Sequence, residues 1–372
     1  MSLTEEIKEY ALDLGFCRVG ITDSGNLDFY QQILEERNDP WINSRIFKSD
    51  PKAEFPECKS VIALAYDYAN VSFPEELTKL IGRAYLARCY TPRVDSICGA
   101  RLELFEKFLK SKGLNVMPAP QNLPIRQFAR KAGIASFGKN NFIYVDGVGS
   151  FVILYAFLVD QELEYDAPER MSKCPPNCRL CIDACPTRAI VEPFRLATTR
   201  CVGYSNWMRR GRSGSKFDPI VPHEIRPQLG IRIHGCDACQ EACPRNQRKL
   251  NTAFPKDQFL ELLKEKLNLT DILLMDDDYY KRWIYPIMYN YLRDKRYFQR
   301  NAAIAMGNTG NKDYIPALEQ AMSSPDDLIR LHSAWALGRI GGADAKEILI
   351  KFQNSEQSEN VKAEISQALE AI

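Results

Sequence analysis

Eight cysteines lie close together in the middle of this 372-residue chain. They form two runs and one isolated position: Cys174-x3-Cys178-x2-Cys181-x3-Cys185-Pro186, Cys201, and Cys236-x2-Cys239-x3-Cys243-Pro244. Short cysteine runs that end in Cys-Pro are typical of 4Fe–4S proteins, in which the last cysteine of a run binds the other cluster. The pattern therefore predicts two 4Fe–4S clusters that exchange one ligand between their loops.

This exchange divides the eight thiolates into two sets of four. The first set is Cys174, Cys178, Cys181 and Cys243, and the second set is Cys185, Cys201, Cys236 and Cys239. Two four-thiolate zinc sites would use the same residue types. The Cys-Pro endings and the exchange of ligands favour iron–sulfur clusters over zinc. The spacing Cys174-x3-Cys178 is one residue longer than the usual spacing in such runs.

The other four cysteines, Cys17, Cys58, Cys89 and Cys98, are scattered and are interpreted as small buried hydrophobic residues. The chain has 49 basic and 48 acidic residues, so its net charge of +1 creates no global field for nucleic acid or a membrane. The first ten residues carry charges where a signal peptide needs an apolar run, and the longest apolar stretch, Val152–Val159, is too short to span a bilayer. We expect a cytoplasmic protein without membrane association.

Residues 1–165 are predicted to form an α/β cofactor-binding domain. Apolar runs at Cys17–Ile21 and Val61–Tyr66 indicate buried strands, and Phe142–Val145 and Phe151–Val159 indicate a pair of strands joined by a turn. A capping box at residues 2–5 begins the first predicted helix. Further helices are predicted at Glu75–Ala87, Ser96–Lys112 and Leu123–Ala132.

Two further domains are predicted after residue 165. Residues 166–250 are poor in apolar periodicity and are expected to form a ferredoxin-like domain stabilised by its two clusters. Residues 251–372 contain a repeat, because the pattern of Ala303–Gly310 returns 31 residues later at Ala334–Gly341 and more weakly at Gln367–Leu369. Such a repeat predicts stacked α-helices that resemble HEAT repeats, serving either as a concave binding surface or as a stabilising helical cap.

The cysteine loops resemble those of the epoxyqueuosine reductase family, cobalamin- and iron–sulfur-dependent enzymes of tRNA queuosine synthesis. The likeness covers segments 15–22, 131–140, 149–151, 174–193 and 225–244 and the C-terminal repeats. It implies that the first domain binds a corrinoid and that the clusters pass electrons to its cobalt, in a core shared with reductive dehalogenases. The candidate cofactor-binding residues lie in two turns, which a plain loop between elements would also explain: Phe137, Gly138, Lys139, Asn140, Gly149 and Ser150.

The histidine content bears on the state of such a corrinoid. The chain has three histidines, His223, His234 and His332, and lacks an Asp-x-His-x-x-Gly motif that would supply a lower axial ligand. This fits base-off cobalamin without a protein axial ligand, and it equally fits a chain that binds no corrinoid.

The chain departs from the family where the proton donor is expected. The family's aspartate falls at about Ala119, and the segment 87–91 has Cys89 and Thr91 where the family has an acid and an imidazole. A reductive ring opening that ends in protonation needs a positioned acid. The resemblance to reductive dehalogenases, in which a tyrosine beside a cationic residue serves as the acid, makes Tyr90 and Lys139 the candidate catalytic residues, with Arg88 as the other candidate cation. A nearby cation stabilises the phenolate that remains, and a packing role for the tyrosine is the alternative.

Three functions remain open from the sequence. The first is a corrinoid-dependent reductase of the epoxyqueuosine reductase type, with or without a diverged substrate. The second is a reductive dehalogenase-like enzyme for a small molecule, and the third is an electron-transfer protein without its own substrate. An external low-potential donor such as a flavodoxin or ferredoxin is the expected partner.

The family resemblance also implies a tRNA partner. Residues 295–372 hold nine basic and ten acidic side chains, so the repeats have no basic excess for phosphate binding. The basic segment 208–216 is the candidate for contacting phosphates or an anionic substrate, and a solvated loop would have the same composition.

Overall fold

The computed structural model describes residues 1–37, 49–90, 96–208, 219–288 and 294–372, which form two compact units. The first unit comprises residues 1–71, 87–198 and 238–255, and the second comprises residues 72–86, 199–237 and 256–372. Within the described residues, no helix is both long and apolar enough to cross a bilayer. The domain boundaries at residues 165 and 250 stay predictions. Most of the basic segment, residues 209–216, lies outside the described ranges.

The strands of the first unit are β1 (Arg18–Asp23), β2 (Ser60–Asp67), β3 (Val116–Pro118), β4 (Ser136–Phe137), β5 (Ile143–Tyr144), β6 (Val152–Val159), β7 (Ile190–Glu192) and β8 (Arg195–Leu196). Four of them form an antiparallel sheet in the order β1-β2-β6-β3, while β4 pairs with β5 and β7 pairs with β8. The helices of this unit are Leu3–Asp13, Asp28–Arg37, Ile97–Ser111, Ile125–Lys131, Leu180–Asp183, Ala238–Glu241 and Pro244–Leu250, with a 3₁₀ turn at Pro51–Ala53.

Helices cover both faces of the central strand β2. Leu3–Asp13 and Ile97–Ser111 pack on one face, against Ile62 and Leu64. On the other face, Phe128 of the helix Ile125–Lys131 packs against the β2 side chains that point away from Ile62 and Leu64. Because both faces are covered, the strand is an uninterrupted apolar run in the sequence. The predicted α/β character of this region is confirmed.

Two local predictions in the first 165 residues have clear outcomes. The capping box is present, since Glu5 N donates to Ser2 Oγ and Ser2 N donates to Glu5 Oε2. The predicted pairing of Phe142–Val145 with Phe151–Val159 is wrong. Gly138 N donates to Phe142 O at 2.8 Å and closes a tight turn, which pairs β5 with β4 and leaves β6 between β2 and β3.

The helices of the second unit are Glu75–Leu80, Arg83–Leu86, Gln258–Lys266, Leu269–Leu273, Asp277–Tyr279, Tyr285–Met288, Arg296–Thr309, Ile315–Ala321, Asp327–Ile340, Ala343–Gln353 and Glu359–Glu370. Shorter helical turns lie at Tyr204–Met208, Arg226–Leu229, Tyr280–Ile284 and Lys312–Tyr314. The single helix predicted at Glu75–Ala87 is wrong, because Ile81 is extended and bridges His234. Gly82 N donates to His234 O at 2.8 Å, and this pairing interrupts the helix.

The predicted C-terminal repeat is confirmed, and small residues explain its spacing. Arg296–Thr309 and Asp327–Ile340 are its two equivalent helices, and Glu359–Glu370 holds the weaker copy. A Cβ at Gly307 would lie 2.8 Å from Ala336 Cα, and one at Gly338 would lie 2.6 Å from Ala368 Cβ. Each repeat therefore places glycine or alanine where two helix backbones approach closely.

Candidate iron–sulfur site

The four cysteines predicted to hold the first cluster surround one cavity in the first unit. Cys174, Cys178, Cys181 and Cys243 line about 270 Å³ of space that is partly open to solvent. In the described residues, no three ligating side chains converge on a point suited to a single metal ion. Cys243 belongs to the second run but lies beside the loop of the first run, which is the arrangement that the predicted ligand exchange requires.

The thiols of this cavity influence one another. Burial, followed by the negative charges of Cys243, Cys174 and Cys178 in that order, raises the pKa of Cys181 to about 11. Four thiolates that repel each other in a half-buried cavity need a cationic centre to offset their charge. The donor set therefore suits a positively charged iron–sulfur core.

The second predicted set is divided between the two units. Cys185 and Cys239 belong to the first unit and pack against one small apolar cluster with Ile182 and Ile190. Ala189 N donates to Cys185 Sγ at 3.2 Å, a contact that favours a thiolate at this position. Cys201 and Cys236 belong to the second unit. The grouping of these four cysteines stays a prediction.

Buried polar side chains of the second unit fix the segment that carries Cys201 and Cys236. The Arg300 guanidinium donates to the carbonyl oxygens of Ser205 at 2.9 Å and Asn206 at 2.8 Å. The Asn301 amide donates to Asn206 O and Ile233 O, both at 2.8 Å. These bonds to a repeat helix hold the backbone of the segment, which also buries Val202, Val221 and Ile233.

Lys139 holds the loop of the first cysteine run. Its ammonium group donates to the carbonyl oxygens of Pro175 at 2.8 Å, Pro176 at 2.6 Å and Cys178 at 2.9 Å. The residue is 8% exposed and lines the four-thiol cavity. All three N–H donors of the ammonium are used, and they fix the backbone between Cys174 and Cys178.

Asn140 and Tyr144 connect this turn to the second cysteine run. The Asn140 amide donates to Tyr144 Oη at 3.0 Å and to Cys239 O at 3.2 Å. Tyr144 lines the four-thiol cavity together with Cys243, and burial, followed by the neighbouring Cys243 thiol, raises the pKa of Tyr144. A Cβ at Gly138 would lie 2.3 Å from the Tyr144 ring, so only glycine allows this packing.

Gly149 and Ser150 also contact the second cysteine run. Ser150 N donates to Asn246 Oδ1 at 2.9 Å, and Ser150 Oγ donates to Gln240 Oε1 at 2.9 Å. Gly149 has a φ of +97°, and a Cβ there would lie 2.3 Å from Asn246 Oδ1. Every side-chain N–H or O–H donor among the six candidate cofactor-binding residues thus has a protein acceptor, and their role toward a corrinoid stays a prediction.

The candidate proton donors lie elsewhere. Tyr90 is 41% exposed and directly precedes residues 91–95, which lie outside the described ranges. Ala119 continues the sheet edge, where its N–H donates to Ala156 O at 2.9 Å. Cys89 is buried, and the Tyr155 hydroxyl donates to its carbonyl oxygen. The catalytic roles of Tyr90 and Lys139 stay predictions.

Sequence reasoning missed Tyr144, Gln240 and Asn246, which link the turns to the cysteine runs. Asn246 stands three residues after Cys243, next to the Cys-Pro ending, and that position was a usable signal. No spacing pattern marks Tyr144, since its importance depends on a turn that pairs β5 with β4.

Comparison with known proteins agrees with this site and fold. Residues 173–246 match the profile of the 4Fe-4S double cluster binding domain, and residues 287–370 match HEAT repeats. The epoxyqueuosine reductase of Bacillus subtilis (strain 168) is 30% identical over 387 residues, covering 100% of this chain and 96% of that protein. The Escherichia coli (strain K12) epoxyqueuosine reductase is 28% identical and covers 91% of this chain and 89% of its own length.

Solved structures give the same result. A structure of epoxyqueuosine reductase with a tRNA-Tyr epoxyqueuosine-modified stem loop has a TM-score of 0.80 and 28% identity, covering 99% of this chain and 98% of that one. A selenomethionine-labelled epoxyqueuosine reductase has a TM-score of 0.81 at the same identity and the same coverage. The chain belongs to the epoxyqueuosine reductase family.

Proposed function

We propose that this protein is an iron–sulfur reductase that converts epoxyqueuosine to queuosine in tRNA. The observation that carries the proposal is the four-thiol cavity, in which Cys243 joins Cys174, Cys178 and Cys181, within a chain related to these oxidoreductases over its full length. The relative solved with a modified tRNA stem loop supports a tRNA-borne substrate.

The donor set is the reason to place clusters at these positions. Four thiols supply the ligand type that iron–sulfur clusters use, and Cys185 already accepts an N–H bond of the kind that supports a cluster thiolate. When bound, the clusters supply one-electron transfer. We assign the first cluster to Cys174, Cys178, Cys181 and Cys243, and the second to Cys185, Cys201, Cys236 and Cys239.

The chain's own residues position the two cysteine runs. Lys139 fixes the first run through three carbonyl groups, while Asn140 binds the carbonyl of Cys239 in the second run. Gln240 and Asn246 attach the second run to Ser150. A fixed separation between redox centres favours electron transfer, because little structure has to reorganise when an electron arrives.

A corrinoid is proposed as the electron acceptor because of the family to which the chain belongs. The base-off form without a protein axial ligand is consistent with the histidines of the second unit. His332 Nε2 accepts from Val221 N at 3.3 Å, and His223 Nε2 pairs with Glu364 at 2.9 Å. The side-chain donors of the six candidate cofactor-binding residues already bind protein acceptors, so no corrinoid contact is assigned to these donors.

A diverged substrate is the second candidate function, and Ala119 favours it. The methyl group of Ala119 cannot donate a proton, and its backbone is held at the sheet edge. The enzyme would then reduce another substrate or use Tyr90 as the acid. An external low-potential flavodoxin or ferredoxin is proposed as the electron donor in both cases.

Nucleoside analysis of tRNA tests the choice between these functions. In a strain that lacks its epoxyqueuosine reductase, expression of this protein should convert epoxyqueuosine to queuosine. A Cys243→Ala variant, which loses one ligand of the four-thiol cavity, is the matched inactive control. If the wild-type protein is expressed with both clusters and queuosine is not restored, the tRNA function is contradicted and the diverged substrate is favoured.

A further inference from the structure

Lys139 is a buried cation without a carboxylate partner among the described residues. It is 8% exposed, and its three bonds go to neutral carbonyl oxygens. Carbonyl dipoles satisfy the N–H donors but carry no net charge, and burying an ammonium ion is costly unless an opposite charge is near. The negative groups that share its cavity are the four cysteine thiols.

The charge of the proposed first cluster changes when it accepts an electron. A 4Fe–4S core with four thiolates carries net negative charge, and one-electron reduction makes it more negative by one unit. A fixed cation beside it therefore stabilises the reduced form more than the oxidised form. Net charge and hydrogen bonds to sulfur are among the properties that set the reduction potential of such a cluster.

Tyr144 acts on the same site by a different route. Tyr144 is 1% exposed and lines the four-thiol cavity together with Cys243, and its oxygen accepts from the Asn140 amide, so its own O–H remains to be donated to a ligand sulfur. An O–H bond to a ligand sulfur withdraws negative charge from the cluster and favours the reduced form.

We propose that Lys139 and Tyr144 are positioning residues that raise the reduction potential of the first cluster. The proposal rests on the proposed clusters and adds a role that holding the loop does not require. Lys139 acts through its charge, and Tyr144 acts through donation of its O–H to a ligand sulfur of the cluster. The first cluster then accepts a single electron more readily from the external donor, and no proton is transferred in this step.

The test is the midpoint potential of each cluster, followed by electron paramagnetic resonance in the full-length protein while dithionite supplies electrons. Lys139→Gln removes the charge and keeps two N–H donors for the loop. We expect its equilibrium constant for reduction of one cluster to fall roughly tenfold, a shift of about 59 mV to lower potential. The other cluster should change much less. Lys131→Gln removes a charge of the same unit, paired with Asp23 at 2.7 Å, and should leave both potentials unchanged.

Tyr144→Phe provides a second variant that keeps the ring. It should lower the potential of the same cluster by a smaller amount, roughly threefold in the equilibrium constant. If the Lys139→Gln protein loses iron from one cluster, the potential measured for Tyr144→Phe decides whether the proposal stands. The proposal is overturned if neither variant shifts the potential, or if both clusters shift equally. A wild-type protein without clusters would instead contradict the proposed function itself.

Discussion

The cysteine-rich segment 174–250 and the C-terminal helices 296–370 are stabilised in different ways. The first has short helices of four to seven residues and small apolar contacts, and its backbone is held by Lys139, Asn140 and Asn246. The second has helices of seven to fourteen residues with continuous buried faces. Metal binding usually replaces a core in segments of the first kind, while close packing suffices for the second.

The two regions should therefore tolerate different changes. In the cysteine-rich segment a few atoms carry most of the specificity, so losing one thiol or one donor affects the whole loop. In the repeats the same contact recurs, with Gly307 against Ala336 and Gly338 against Ala368. Damage there should be graded and local.

Removal of iron should give the largest effect. Anaerobic chelation with a strong reductant should leave residues 174–250 sensitive to proteolysis, because the apolar cluster around the cysteine runs is small and the thiols lose their metal. The helices 296–370 should remain protected. Limited proteolysis followed by mass spectrometry measures both regions in one sample. Equal protection of residues 174–250 before and after iron removal would contradict the comparison.

Replacement of a single cluster ligand should give the next largest effect. Cys243→Ala should remove one cluster and therefore about half of the iron, since its thiol completes the four-cysteine cavity. Cys98→Ala is the matched control, because Cys98 is buried beside the Tyr155 hydroxyl and lies outside that cavity. Iron and sulfide analysis would measure the difference. Full iron in Cys243→Ala would remove this residue from the ligand set.

A buried ion pair tests how the cysteine-rich segment is joined to the C-terminal helices. Arg226 Nη1 lies 2.8 Å from Glu364 Oε1, and both side chains are almost fully buried. Glu364→Gln leaves the guanidinium without its counter-charge and should lower the free energy of unfolding by about 3 kcal/mol. Glu359→Gln, on the same helix but exposed, should change it by less than about 0.5 kcal/mol. Chemical denaturation measures both, and equal values would contradict this account.

The smallest change in stability is expected from a substitution at the close helix contact in the repeats. Gly338→Ala places a methyl group 2.6 Å from Ala368 Cβ and should lower the free energy of unfolding by roughly 1–3 kcal/mol, partly offset by the better helix propensity of alanine. Iron content should stay that of the wild type. A stabilised variant would show that the helices separate easily at this contact.

Regular features of the sequence predicted most of the fold. The first helix, the buried strands and the repeat followed from capping, apolar runs and periodicity, all of which act locally. The pairing of β5 and the break at Ile81 could not be predicted, because each depends on a partner distant in sequence or on a tight turn. β5 pairs through the turn at Gly138, and Ile81 pairs with His234.

The candidate site was predictable only where it depends on local sequence patterns. The spacing of the cysteines indicated that Cys243 joins the first run, and the cavity places these four thiols together. The turn at residues 137–140 was predicted to contact a cofactor, and this contact stays a prediction. Its Lys139 and Asn140 side chains bind the cysteine loops. Hydrogen bonds from a lysine to carbonyl groups leave no trace in residue spacing, so the role of Lys139 required the structure.

The most direct test of the account is the metal content of the anaerobically purified protein. Two clusters of the 4Fe–4S type predict about eight iron and eight sulfide atoms per chain, with an electron paramagnetic resonance signal on reduction. Zinc in place of iron, or thiols that react as free cysteines in the untreated protein, would contradict the assignment of the eight cysteines and the reductase function that depends on it.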